Sequence, residues 1–123
     1  MGDDERDPES LLPLTPATFH LLLALSDGDR HGYGIGAEVE RQTEGKVRLG
    51  PGTLYGLIKR LLADGLIVET DERPDPEFDD ERRRYYRLSD FGLAVARAEA
   101  ARLEALVRQA RARKLLPRPS GAR

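Results

Sequence analysis

The chain of 123 residues is 39% hydrophobic and 34% charged, has no cysteine or tryptophan, only two histidines, and a formal net charge of −2. This excludes disulfides, cysteine-rich zinc sites and thiol catalysis, and no run of about 18 apolar residues is present to span a membrane. The acidic opening MGDDERDPES is unlike the basic, apolar start of a secretory signal, so an intracellular, cytoplasmic protein is expected.

The small net charge hides segregation. Met1 to Leu12 carries five acids and one arginine, and Asp71 to Glu81 seven acids and one arginine, which leaves +8 on the remainder. Two acidic segments therefore mask a basic body, and a partner meets the local field rather than the total.

In chain order, the first fourteen residues lack periodicity and read as a disordered acidic arm. TPATFHLLLALSDGD follows as a first helix, with Thr15 as N-cap and Pro16 at the first helical position. Phe19, Leu22, Leu23 and Ser26 fall on one face, and Asp27-Gly28 ends the run. HGYGIGAEVERQTEG settles into helical spacing at Ile35 and Val39 and stops at Gly45, and KVRLG is a short extended piece. PGTLYGLIKRLLADG then places Leu54, Ile58, Leu61 and Leu62 on one face of a third helix that stops at Gly65. Its other face carries Thr53, Gly56, Lys59, Arg60 and Ala63, which is small, polar and basic. LIVETDE and RRRYYRLS read as strands joined by a long acidic loop.

SDFGLAVARAEAARLEALVRQARARKLL is a final helix of roughly 25 residues and about 37 Å, with Ser89 as its N-cap. Phe91, Val95 and Ala98 form a first apolar stripe, and Leu103, Leu106, Val107 and Ala110 a second, rotated one. A domain this small cannot cover the whole helix, so the second stripe is expected to pack against another chain.

The glycines of HGYGIG invite comparison with a dinucleotide loop. That fingerprint needs a strand before the glycines, whereas here a helix ended by SDGD precedes them. The glycines are read instead as allowing tight helix packing and close approach to a phosphate backbone. An enzyme is not expected: His31 has no partner that the sequence places near it, the carboxylates cluster in exposed segments, and no metal-ligand pattern exists.

Helix, helix, short extended piece, helix, strand, loop, strand, long helix is the layout of a winged helix-turn-helix followed by a long C-terminal helix. The fold class is mainly α with a small β-hairpin. In such a domain the third helix enters the major groove of DNA and the hairpin lies along the backbone. HGYGI, GPGTLYGLIKRLLADGLI and RRRYYRLSDFGLAVA, in this order and spacing, resemble the PadR family of bacterial transcriptional regulators, from about Leu14 to Leu116. The length resembles the short subfamily with a single C-terminal helix.

The resemblance implies a repressor that dimerises through that helix, binds a palindromic operator and releases it to a small, often phenolic or drug-like, molecule or another signal. It implies no cofactor and no metal. The divisions become an arm over 1–14, a winged helix-turn-helix over 15–88, a dimerisation helix over 89–116 and a flexible tail over 117–123.

DNA contacts are expected from Tyr33, Thr53, Tyr55, Lys59, Arg60, Arg82, Arg83 and Arg84. Tyr33 has a second reading as a half-buried cap of the core, Tyr55 as core, Arg60 as a solvated arginine, and the wing arginines as counterions of the acidic loop. The dimer interface is expected at Phe19, Leu103, Leu106, Val107 and Ala110. An effector would meet Phe19, Leu23, Val95 and Leu103, each of which also fits ordinary core packing. The alternative function is a winged helix that binds a protein without DNA.

Overall fold

Thr15 accepts a hydrogen bond from the Thr18 N–H at 3.2 Å, and Pro16 opens helix α1, Pro16–Leu25. The computed structural model describes residues 5–70 and 84–118. Strand β1 (Arg30–His31), helix α2 (Gly32–Gln42), helix α3 (Pro51–Ala63), strand β2 (Ile67–Thr70), strand β3 (Tyr85–Leu88) and helix α4 (Asp90–Ala112) follow. The strands form one antiparallel sheet in the order β1-β3-β2, with Arg30 opposite Tyr86 and Ile67 opposite Leu88. The architecture is a mainly helical winged-helix fold with a three-stranded sheet and a C-terminal helix, as expected, except that β1 adds a strand to the hairpin.

That strand corrects the statement that only a helix precedes the glycines. Two residues do extend before Gly32, but they join an antiparallel sheet at its edge, so the parallel unit of a dinucleotide site is not formed. The sequence gives no sign of β1 because two residues carry no period.

The core forms where α1 meets α2, α4 and β3. Leu54, Ile58 and Leu61 of α3 are buried and Leu62 half-buried, as their spacing predicts. In α1 the expected face is wrong: Leu21, Leu22, Ala24 and Leu25 are buried, Phe19 is half-buried, and Leu23 and Ser26 are exposed. This helix is apolar on almost every side, so its partners rather than its period choose the face.

Residues 5–14 also differ from expectation. Pro8–Leu11 form a 3-10 turn against α4, and Leu11, Leu12 and Leu14 pack on the core. Three leucines among acids are enough to dock the segment once a neighbouring surface exists. Helix α4 ends at Ala112, short of the expected 116: Lys114 adopts φ +64° and the Leu115 N–H closes back on the Ala110 carbonyl at 2.8 Å.

Two close approaches fix the layers. A Cβ at Gly92 would lie 1.8 Å from the Leu66 carbonyl oxygen, so α4 can start against the entry to β2 only with glycine there. Gly65 takes φ +76° just past the α3 cap and turns the chain into that strand.

Candidate nucleic-acid interface

Helix α3 starts at Gly50 without a side-chain cap, and Pro51 stands at its first turn. Its leading N–H groups are therefore free of any capping side chain, an arrangement that suits an anion. At about 100° per residue the exposed arc of α3 is centred on Gly56, with Thr53 and Arg60 at one border and Lys59 at the other. Thr53, Lys59 and Arg60 are all exposed. Neither the Lys59 nor the Arg60 side chain enters an ion pair or hydrogen bond among the described residues.

The glycines on this face are not there for internal packing. Among the described residues, a Cβ at Gly52 or Gly56, or at the N-cap Gly50, would meet nothing within 4 Å. None of the three has a positive φ. Glycine in an exposed helix costs about 1 kcal/mol relative to alanine, and no contact among the described residues offsets it. What it leaves is a helix backbone open to close approach from outside.

The α2 glycines have internal reasons instead. A Cβ at Gly32 would lie 2.6 Å from Cε1 and Oη of Tyr55, and one at Gly36 would lie 3.2 Å from Leu54 Cδ2. The expected tight packing of α2 on its neighbour is present. His31, which the sequence left without a partner, caps α2: its Nδ1 accepts from the Gly34 N–H at 3.0 Å. In the neutral ring that places the proton on Nε2. The ring stacks near Tyr33 (6.3 Å between centroids) and meets Tyr85 edge-on at 5.4 Å. Only Ser, Thr, Asp and Asn are common caps, so this histidine carried no cap signal.

Tyr33 is 75% exposed and Tyr55 49% exposed, and both line one groove of about 680 Å³ between α2 and α3. Tyr33 thus points to solvent rather than capping the core, and Tyr55 lies at the border of its helix. Behind them a buried carboxylate stiffens the turn into α2. Glu38 accepts from Arg41 Nε at 3.0 Å and from Gln42 Nε2 at 3.2 Å, and Arg30 Nη2 lies 3.6 Å away. The Arg41 hydrogen bond outweighs the cost of burial and lowers the Glu38 pKa to about 2. Arg30 in turn donates to the Ala24 carbonyl at 2.7 Å and joins α1 to α2.

At the wing, Arg84 is exposed and pairs loosely with Glu69 at 3.6 Å. Arg82, Arg83 and the acidic stretch from Asp71 to Glu81 lie outside the described residues. Arg87, one turn of the ladder on, is held by Asp29 at 3.0 Å and by the Thr70 hydroxyl at 3.1 Å. Burial, with Glu69 adding to it, pushes the Tyr86 hydroxyl pKa up.

The winged-helix fold has counterparts among known proteins. The model of the transcriptional regulator PadR-like family matches residues 21–98. The chain belongs to that family. PadR-like proteins are transcriptional regulators that bind DNA, not enzymes. This PadR-like chain is 36% identical over 90 residues to the transcriptional regulator Rv3488 of Mycobacterium tuberculosis, covering 73% of this chain and 78% of the relative. It is 40% identical over 80 residues to an uncharacterized 37.1 kDa protein in a transposon of Streptomyces fradiae; the match takes in 65% of this chain and only 21% of that protein's length. Its fold is similar to that of a PadR-like transcriptional regulator from Bacillus cereus, with a TM-score of 0.64 at 19% identity over 77% of this chain and 87% of that one.

In this PadR-like fold the remaining candidates separate. On α4, Leu103 and Ala110 are half-buried, while Leu106 is 47% and Val107 36% exposed. Of the effector candidates, Val95 is fully buried in the core, Phe19 and Leu103 are half-buried, and Leu23 is exposed. No helix among the described residues is long and apolar enough to cross a membrane.

Proposed function

We propose that the chain is a homodimeric repressor. Each α3 enters the major groove of one half of a pseudo-palindromic operator, and a small aromatic ligand or another signal releases the DNA. The observation that carries this reading is the face centred on Gly56. It combines the open glycine positions Gly52 and Gly56 with Lys59 and Arg60 side chains that have no partner among the described residues, a surface shaped for close contact with a polyanion. Thr53, Lys59 and Arg60 would read or flank base edges. Tyr33, Tyr55 and the wing arginines Arg82, Arg83 and Arg84 would hold phosphates.

Dimerisation rests on the distal half of α4, where Leu103, Leu106, Val107 and Ala110 make one apolar stripe at helical spacing, with Leu106 and Val107 exposed. Phe19 would join that interface from α1. An effector seated among Phe19, Leu23 and Leu103 would change the spacing of α1 and α4 and so of the two α3 helices. Val95, sealed in the core, would act only as its floor.

The test is fluorescence anisotropy against duplexes selected from a randomised library, at three salt concentrations with excess non-specific competitor. The expected result is tight binding that survives competitor and falls steeply with salt, by about 0.9 in log K per log salt for each phosphate neutralised. Binding lost equally to competitor at every salt would overturn the operator reading and favour a winged helix whose partner is a protein.

A further inference from the structure

Helices α3 and α4 share no extended contact of their own. They are joined by the sheet, by the core that Leu54, Ile58 and Leu61 share with Phe91 and Val95, by the Ser89 hydroxyl of the α4 N-cap donating to the Gly65 carbonyl at 2.6 Å, and by the N-terminal arm. At one end Arg6 Nη1 donates to the Asp64 carbonyl at 2.8 Å, on the residue that caps α3. That carbonyl lies at the negative end of the helix dipole, where a cation is favoured. The same guanidinium stacks 4.0 Å above the ring of Phe91, in the first turn of α4. Arginine suits this double duty because its plane can stack while its edge donates.

The arm then runs along α4 and ends in a second tie. The Leu14 N–H donates to Glu99 Oε2 at 3.2 Å. Glu99 is only 2% exposed, and Arg102 grips it with two hydrogen bonds of 2.6 and 2.9 Å. A carboxylate is costly to bury in the middle of a helix unless paired and hydrogen-bonded. Here its remaining oxygen capacity is directed at the arm. Between the two ties, Leu11, Leu12 and Leu14 pack on the core. A segment of nine residues thus touches the end of the helix that reads DNA and the middle of the helix that bears the dimer stripe.

We propose that Arg6 and Glu99 are positioning residues: through the arm they fix α3 relative to α4, and thereby set which half-site spacing the dimer accepts. The inference rests on the operator reading above for its consequence on DNA, though not for the positioning itself. In a two-fold dimer the separation of the two α3 helices must match a whole number of helical turns. A looser joint between α3 and α4 spreads that separation, so avidity falls while each half-site contact is unchanged.

Two measurements on the full chain test it. The absence of native cysteine allows spin labels at Ala63→Cys on α3 and Arg108→Cys on α4, both exposed positions. Labelled chain is diluted into unlabelled chain so that only distances within one chain are read by pulsed electron resonance. A narrow distribution that broadens in Arg6→Ala/Glu99→Gln, and less so in Arg6→Lys, is expected; an unchanged distribution overturns the proposal.

The second measurement compares affinities for a single half-site and for full sites of altered spacing. The parent chain should lose about tenfold or more when two base pairs are inserted between half-sites. The double variant should keep half-site affinity within about twofold while the penalty for insertion shrinks to about threefold or less. Equal loss on half-site and full site would mean that the arm serves only the fold, and overturns it. A distance distribution that broadens in a protein binding no DNA would uphold the positioning role and fail the operator reading alone.

Discussion

The ring of Tyr55 occupies the space that a side chain at Gly32 would need, its Cε1 and Oη each 2.6 Å from where a Cβ would stand. The start of α2 and the first turns of α3 are therefore fitted to each other through a missing side chain. Because Tyr55 is half exposed, Gly32→Ala can be accommodated by the ring swinging outward. The expected stability loss is about 1 kcal/mol, read by denaturant unfolding. Operator affinity should fall further, by about tenfold, because both tyrosines at this junction are disturbed. Tyr55→Phe separates ring from hydroxyl: an affinity loss worth about 1 kcal/mol is expected if the hydroxyl donates to a phosphate, and unchanged affinity would reduce Tyr55 to packing.

Gly56 reverses the usual relation between stability and function. Its position is helical and open, so Gly56→Ala should stabilise the fold by about 0.5–1 kcal/mol. If the surrounding face meets DNA, the same methyl group should weaken specific binding several-fold. A variant with a higher melting temperature and undiminished affinity would remove α3 from the interface.

How much of this could be read from residues alone depends on where each signal resides. Helix α3 was legible because Leu54, Ile58 and Leu61 keep one period and Gly65 ends it, and the exposed arc followed from the same count. Helix α1 was not, because nearly every position is apolar and only its neighbours decide that Leu23 is left outside. Gly92 has no local signal either; its requirement is the Leu66 carbonyl, a residue of another element. Glu99 reads as one more solvated acid in a charged helix, and is buried only because Arg102 and the Leu14 N–H converge on it. The half of the candidate site that lies on one helix was therefore visible beforehand, and the half made by contacts between elements was not.

Acid should lower the stability of the fold through the carboxylate at the junction of α1 and α2. Glu38 has a folded pKa lowered from 4.5 to about 2, first by its Arg41 hydrogen bond. A depressed carboxylate pKa means that the unfolded chain binds the proton more readily. The stabilisation is thus fully present above pH 4.5 and is lost as the pH falls toward 2. The Glu99 pKa is lowered as well, chiefly by Arg102, and acts in the same direction. Glu38→Gln should cost about 1–3 kcal/mol at neutral pH, since Arg30 and Arg41 lose their charged acceptor. It should also flatten the stability profile between pH 4.5 and 2, measured by urea unfolding at each pH. A parallel profile, shifted but not flattened, would show that other groups carry the acid sensitivity.

The distal stripe of α4 sets the largest expected effect. Leu103, Leu106, Val107 and Ala110 recur at the spacing of one helix face, with the middle two the most exposed. In an isologous interface every such residue is used twice. Burying one leucine is worth about 1.5–3 kcal/mol, so Leu106→Glu removes about 3–6 kcal/mol from a dimer before the cost of placing two acids against apolar neighbours is added. That corresponds to a rise of about 10²–10⁴-fold in the dimer dissociation constant. Sedimentation equilibrium should find a monomer at micromolar concentration, while far-ultraviolet circular dichroism retains the signal of the folded domain, whose core lies at the other end of α4 around Phe91 and Val95. Operator affinity should fall by about 10² or more with half-site affinity kept, because the second α3 is no longer delivered by the first. A variant that remains dimeric and binds its operator as before would show that the two chains meet elsewhere, and that this stripe serves some other partner.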